Sequence, residues 1–153
     1  MSYEAAGCAG HYQHTLRGMQ EIHHSHCLFQ INPPVANLRF CFSEKGILTG
    51  KFVFSTEHQG YNGVVHGGII AAVVDASMAQ CCMGHGIVAY TTDLSIRYLN
   101  PVRIGVPIQL ETRIVYEARS VLFSLECDIL HAGRVDVSAK GRFFRVAEKA
   151  GAK

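Results

Sequence analysis

The sequence predicts an α+β domain in which an antiparallel six-stranded sheet wraps around one long central helix. Three observations carry that expectation. Residues 64–83 form a 20-residue stretch that is mostly apolar, broken only by His66, Asp75, Ser77 and Gln80. On both sides of it, apolar and polar residues alternate with period two, the mark of half-buried strands. The strands are joined by short turns without crossover segments, so they must pair antiparallel. One apolar helix cannot hide itself, and six strands with one apolar face need a cover; each satisfies the other.

The elements follow in order. The first strand runs from Val35, where Leu38, Phe40 and Phe42 alternate with Arg39, Cys41 and Ser43. Glu44-Lys45-Gly46 turns the chain into a second strand over 47–56, with Leu48, Phe52 and Phe54 on one face. Residues 57–63 form a loop by their glycines. The helix begins near His66 and stops around Met83, where Gly84 and Gly86 end it. Four more strands are expected over 89–99, 107–117, 121–130 and 134–146. Asn100-Pro101, the turn at 117–120 and His131-Ala132-Gly133 separate them. The order is β-β-helix-β-β-β-β.

Length and composition agree. The 153 residues suit a single domain: an N-terminal His-rich extension over 1–33, partly helical within 12–22, a main domain over 34–147, and a short tail over 148–153. Apolar residues make up 48% and charged residues 17%, which excludes wholesale disorder. A formal net charge of +2, with no basic run and no interleaved aromatics, argues against a nucleic-acid partner. The apolar run approaches spanning length, yet a central aspartate opposes insertion by about 2.5–3.5 kcal/mol, so no membrane role is expected. The six cysteines show no disulfide framework, and residues 1–10 lack a basic start followed by an apolar stretch. A reducing, cytoplasmic setting is the expectation. Cys8, His11, His14, His23, His24, His26 and Cys27 do not fall into paired zinc-ligand spacings, and no metal is expected.

The chemistry concentrates at the helix. Gly60-Tyr61-Asn62-Gly63-Val64-Val65-His66-Gly67-Gly68 leads straight into it. Such an entry points backbone N–H groups outward at the positive end of the helix dipole. It lacks the Lys-Ser/Thr of a phosphate loop and the spacing of a dinucleotide fingerprint. Packing glycine is the bland reading; an oxyanion site, made by the N–H of Gly67 or Gly68, is the sharper one. Asp75 sits among Ala, Val, Ile and Met, where a carboxylate is costly unless paired or used. Gly67 and Asp75 are eight residues apart on one helix, so ~12 Å separates them along its axis. One reacting carbon cannot touch both. If both serve one site, Asp75 must come from a second helix across a two-fold axis.

His66-Gly67-Gly68 followed by Asp75, together with residues 57–65 and Ser95-Ile96-Arg97-Tyr98-Leu99-Asn100-Pro101-Val102, resembles the hotdog-fold acyl-CoA thioesterases of the PaaI-like, phenylacetate-pathway type. The resemblance covers roughly residues 40–145. It implies a hotdog fold and hydrolysis of acyl-CoA by homodimers that pair into homotetramers, without a cofactor. It also implies roles. The Gly67 N–H would polarise the thioester carbonyl, with His66 shaping the helix entry and Gly68 beside it. Asp75 of the partner would attack the carbon or activate water, and Thr91 falls where relatives place a hydroxyl near that water. One departure stands out: six residues before His66 many relatives carry Asn or Gln, whereas here the position is Gly60, leaving Gln59 and Asn62 as substitutes. For the CoA phosphates, Arg97 and Arg103 flank the Asn100-Pro101 turn and rank above Lys140, Arg142 and Arg145, since a guanidinium donates two parallel hydrogen bonds. Two other readings use the same scaffold: a non-catalytic acyl-CoA-binding module and an enoyl-CoA hydratase. A serine triad is unsupported because no Gly-x-Ser-x-Gly elbow exists. Cys81 and Cys82 lie at the wrong end of the helix dipole for a nucleophilic thiolate.

Overall fold

The computed structural model describes residues 10–31 and 38–147. Its elements are α1 (His11–His23), α2 (Leu28–Ile31), β1 (Phe40–Phe42), β2 (Leu48–Val53), α3 (Gly67–Gly84), β3 (Ala89–Tyr98), β4 (Pro107–Ala118), β5 (Leu122–His131) and β6 (Arg134–Arg145). A 3-10 turn at Thr56–His58 precedes the loop that enters α3. The six strands form one sheet in the order β1-β2-β4-β5-β6-β3, and every neighbouring pair is antiparallel. This is the hotdog fold, a sheet curled around its helix. The boundary expected after residue 33 and the tail over 148–153 lie outside the described residues.

Strand alternation builds the core. Ile108, Leu110 and Thr112 of β4, and Phe123, Leu125, Cys127 and Ile129 of β5, point inward and are buried. They meet Ile70, Val73, Val74, Met78, Cys81 and Cys82 of α3. By length and composition α3 would be able to cross a membrane, but 61% of it is buried inside the fold. Its one hydroxyl is satisfied: Ser77 donates to the Val74 carbonyl at 2.7 Å and lies 2.8 Å from Oγ1 of Thr112 on β4. Tight turns close the hairpins β4–β5 and β5–β6, with Arg119, Ser120, Ala132 and Gly133 all at positive φ.

The N-terminal segment packs onto the domain. Leu16 of α1 enters the core, Gln20 Nε2 donates to Gln80 Oε1 at 2.7 Å, and Tyr12 stacks on Phe42 and tilts against His85. Only part of α1 carried a helical signal in the sequence, because its stability comes from these distant partners. Cys41 is disulfide-bonded, which departs from the expectation of unpaired cysteines; a single bridge has no spacing signature. Cys27, Cys81, Cys82 and Cys127 are free.

Gly84 ends α3 under the Phe42 ring, and a Cβ there would fall 2.2 Å from two ring atoms. Phe42 is 3% exposed and boxed in by Tyr12 and His85, so it has nowhere to go. Helix propensity alone would make Gly84→Ala stabilising by up to ~1 kcal/mol. The overpacking outweighs it, and we expect a net loss of about 1–2 kcal/mol, seen as a lowered melting temperature. A variant as stable as the parent would show that the ring has room to move.

Candidate active site

The entry to α3 is organised by the residue before it. His66 takes the N-cap position with extended backbone (φ −63°, ψ 129°), and its Nδ1 accepts the Gly68 N–H at 2.9 Å. A backbone N–H can only donate, so Nδ1 bears a lone pair and the neutral ring carries its proton on Nε2. The His66 carbonyl receives the N–H groups of Ile69 and Ile70. Gly67 is what remains: its N–H has no partner among the described residues. Of the two glycines named from the sequence, Gly68 has its N–H in the cap, bonded to His66 Nδ1. The Gly67 carbonyl accepts the Tyr98 hydroxyl at 2.9 Å.

Gly68 and Gly60 make room for the imidazole. A Cβ at Gly68 would sit 3.1 Å from His66 Nδ1, and one at Gly60 would sit 3.2 Å from His66 Cα and 3.3 Å from Cδ2. A larger side chain at position 60 would therefore crowd the cap. Gln59 Oε1 accepts the Gly63 N–H at 3.3 Å within its own loop. A cavity of about 360 Å³ opens beside the helix start, lined by Glu57, His58, Gln59, His66, Gly68 and Ile69. Asn62 is exposed and does not line it. Neither Glu57 nor His58 is among the site residues expected from the sequence; the 3-10 turn carries them there.

Asp75 lies two helical turns further on, half-buried, and its Oδ1 accepts the Thr91 hydroxyl at 2.7 Å. Its Oδ2 has no hydrogen-bond partner among the described residues. Thr91 reaches Asp75 from β3, where the register against β6 shifts between Thr91 and Asp93. That bulge at Thr92 resets the alternation, so Thr91 and Tyr98, an odd number of residues apart, both reach α3. Gly68, Ala72, Asp75 and Ala79 follow at helical spacing on the side that the chain's own sheet leaves least covered.

The basic residues separate by their partners. Lys140 pairs with Glu126 and Arg142 with Asp93, while Arg145 lies over the Phe123 ring. Arg97 and Arg103 have no ion-pair partner among the described residues. Arg103 lines a second cavity of about 290 Å³ with Asn100, Pro101, His131, Arg134 and the buried Asp136, among others. No group of three or more metal-ligating side chains is found among the described residues. Burial pushes the Cys81 thiol far up, Cys82 to about 12 and Cys127 to about 11, so these thiols stay protonated at neutral pH and are no nucleophiles.

Residues 62–137 match the family model described as the thioesterase superfamily. The match spans the α3 entry, Asp75 and Thr91. This chain belongs to the thioesterase superfamily. Human acyl-coenzyme A thioesterase 13 is 27% identical to it over 88 residues, 56% of this chain and 62% of that protein. The chain thus matches less than two thirds of that relative's length. The PaaI protein from the Escherichia coli phenylacetic acid degradation operon superposes with a TM-score of 0.72 at 13% identity, over 88% of this chain and 95% of that one. A hypothetical thioesterase of Streptococcus pneumoniae solved with coenzyme A superposes at 0.68 and 19% identity, over 75% and 93%. Structures of that thioesterase also exist with one aspartate, or one threonine sixteen positions further on, replaced by alanine. At these identities the two structural likenesses are of fold, and within the thioesterase superfamily the fold leaves the substrate open.

Proposed function

We propose that this thioesterase-superfamily chain hydrolyses acyl-CoA thioesters to a free acid and CoA, in sites shared between two copies. The observation that carries the reading is the split pair on α3: an uncommitted Gly67 N–H at the helix start, and a carboxylate held by Thr91 two turns away. With ~12 Å between them, neither completes a site with the other in one chain. Two α3 helices set antiparallel across a two-fold axis bring the Asp75 of each to the Gly67 of the other. The stripe of Gly68, exposed, with Ala72 and Asp75, partly buried, supports close helix approach. The open edge of β3 supports pairing alongside it. Exposed Tyr90, Tyr116 and Phe144 support a further pairing of dimers into a tetramer. The aspartate and threonine replaced in the pneumococcal thioesterase share the sixteen-residue separation of Asp75 and Thr91, which supports these two as a functional pair.

In this reading the thioester oxygen faces the Gly67 N–H, where the helix dipole favours the negative charge that develops on it. Asp75, oriented through Oδ1 by Thr91, acts with Oδ2. As general base it takes a proton from water, whose oxygen adds to the carbonyl carbon; the tetrahedral oxyanion collapses, the C–S bond breaks, and the CoA sulfur leaves with the proton. As nucleophile, Oδ2 bonds to the carbon itself, the C–S bond breaks and CoA leaves as the thiolate; water then splits the resulting anhydride, which regenerates the Asp75 carboxylate, frees the acid and supplies the proton that the thiolate takes up. His66 offers Nε2–H at the mouth of the site, with Gln59 lining the same cavity. Arg103, with Arg134 and His131 nearby, is the guanidinium assigned to a CoA phosphate, and Arg97 is an alternative on β3.

A panel of aromatic, hydroxy-aromatic and medium-chain acyl-CoA substrates, read by release of free thiol, tests the activity. Turnover of at least one class above the buffer rate is expected. Binding of acyl-CoA without thiol release by folded protein would replace the enzyme with a binding module.

A further inference from the structure

We infer that Tyr98 is a positioning residue that keeps the Gly67 N–H aimed at the thioester oxygen; this rests on the oxyanion role proposed for Gly67. The Gly67 N–H lies in the His66–Gly67 peptide plane, whose carbonyl is held by the Ile69 and Ile70 N–H groups, but glycine has no Cβ and its dihedrals are the loose joint to the next peptide, which needs a restraint of its own. The structure supplies it at both ends of the Gly67–Gly68 peptide. The Tyr98 hydroxyl donates to the Gly67 carbonyl at 2.9 Å, and the Gly68 N–H is bound to His66 Nδ1 at 2.9 Å. The Tyr98 ring also occupies the space above Gly67: its hydroxyl and two ring carbons lie 3.5–3.7 Å from where a Cβ would stand. With the peptides on both sides of Gly67 held, the first through the His66 carbonyl and the second by Tyr98 and His66 Nδ1, the Gly67 N–H keeps its direction while charge builds on the substrate.

The placement on β3 adds a consequence. Because of the bulge at Thr92, one strand brings Thr91 to Asp75 and Tyr98 to Gly67. In a shared-site dimer those targets belong to different sites, so each β3 serves both. Thr91 acts with its own chain's carboxylate, and Tyr98 acts at the site completed by the partner's Asp75.

Tyr98→Phe removes the hydroxyl and keeps the ring. We expect kcat to fall about tenfold with KM little changed, because the clamp matters most when the oxyanion forms. A fluorinated tyrosine at position 98, whose phenol ionises nearer neutrality, is expected to add an alkaline fall in kcat as its donor proton is lost. A purely structural ring would produce neither effect. In equal mixtures with Asp75→Asn protein, Tyr98→Phe chains should restore about a quarter of wild-type activity through mixed dimers with one intact site. If Tyr98 served its own chain's Asp75, the same mixture would give only about a twentieth. Thr91→Val mixed with Asp75→Asn should restore nothing. Hydrogen exchange at the Gly68 amide, which belongs to the clamped peptide and is bonded to His66 Nδ1, should be faster in Tyr98→Phe than in the parent and reads the clamp without any turnover. It therefore stays decisive if the wild type proves inactive and the thioesterase reading fails. Unchanged exchange together with unchanged kcat, or unchanged exchange in an inactive protein, would overturn the proposal.

Discussion

Asp75→Asn is expected to lower thioester turnover at least ~100-fold, the scale of losing a catalytic base, while the fold survives. The substitution is nearly isosteric. The amide oxygen can still accept the Thr91 hydroxyl, which now meets Asp75 Oδ1 at 2.7 Å, so the local geometry should persist. What disappears is the negative charge and the basic Oδ2. Because Asp75 is only half-buried and has no ion-pair partner among the described residues, no large loss of stability should follow. Both kcat and kcat/KM should fall together, the signature of an interaction made in the transition state. Steady-state thiol release, with circular dichroism and a thermal melt on the same preparations, checks it. Comparable rates in folded wild type and variant would remove Asp75 from the chemistry.

The second large effect is recovery of activity from two inactive chains. Gly67→Pro deletes the one N–H that the helix entry leaves uncommitted. The structure makes this a clean deletion. Gly67 is the first helical residue, a position proline favours, and His66 before it is already extended at φ −63° and ψ 129°, as a residue preceding proline prefers. The nearest atom to a Cβ at Gly67 is 3.5 Å away, ordinary contact, so bulk alone should not cripple the variant. Equal amounts of Gly67→Pro and Asp75→Asn protein, dissociated and reassociated at random, should give about half mixed dimers, each with one intact and one doubly damaged site. Activity should then approach about a quarter of wild type, from parents that are nearly silent. Mixed dimers shown to form from folded chains, yet as inactive as the parents, would mean that Gly67 and Asp75 do not share a site.

The scaffold and its carboxylate-bearing helix are legible in local pattern. Period-two alternation and short turns specify six antiparallel strands because each inward side chain must be apolar wherever it lands in the sheet. The apolar run over 64–83, introduced by glycines and broken by Asp75, announces a buried helix with a costly carboxylate in it. Its eight-residue separation from Gly67 is a matter of helical rise alone. The remaining contacts depend on partners far away in the chain. Which glycine offers its N–H follows from the rotamer of His66, held between Gly60 and Gly68. The grip of Thr91 on Asp75 and of Tyr98 on Gly67 depends on a one-residue bulge at Thr92, which reverses the facing of every residue after it. Alternation counted along the sequence would have put Thr91 and Tyr98 on opposite faces. The docking of α1 likewise rests on Gln20 meeting Gln80 and Tyr12 meeting His85, contacts that no local pattern encodes. Local periodicity records which side of an element is buried; only the packed chain records what each side chain meets there.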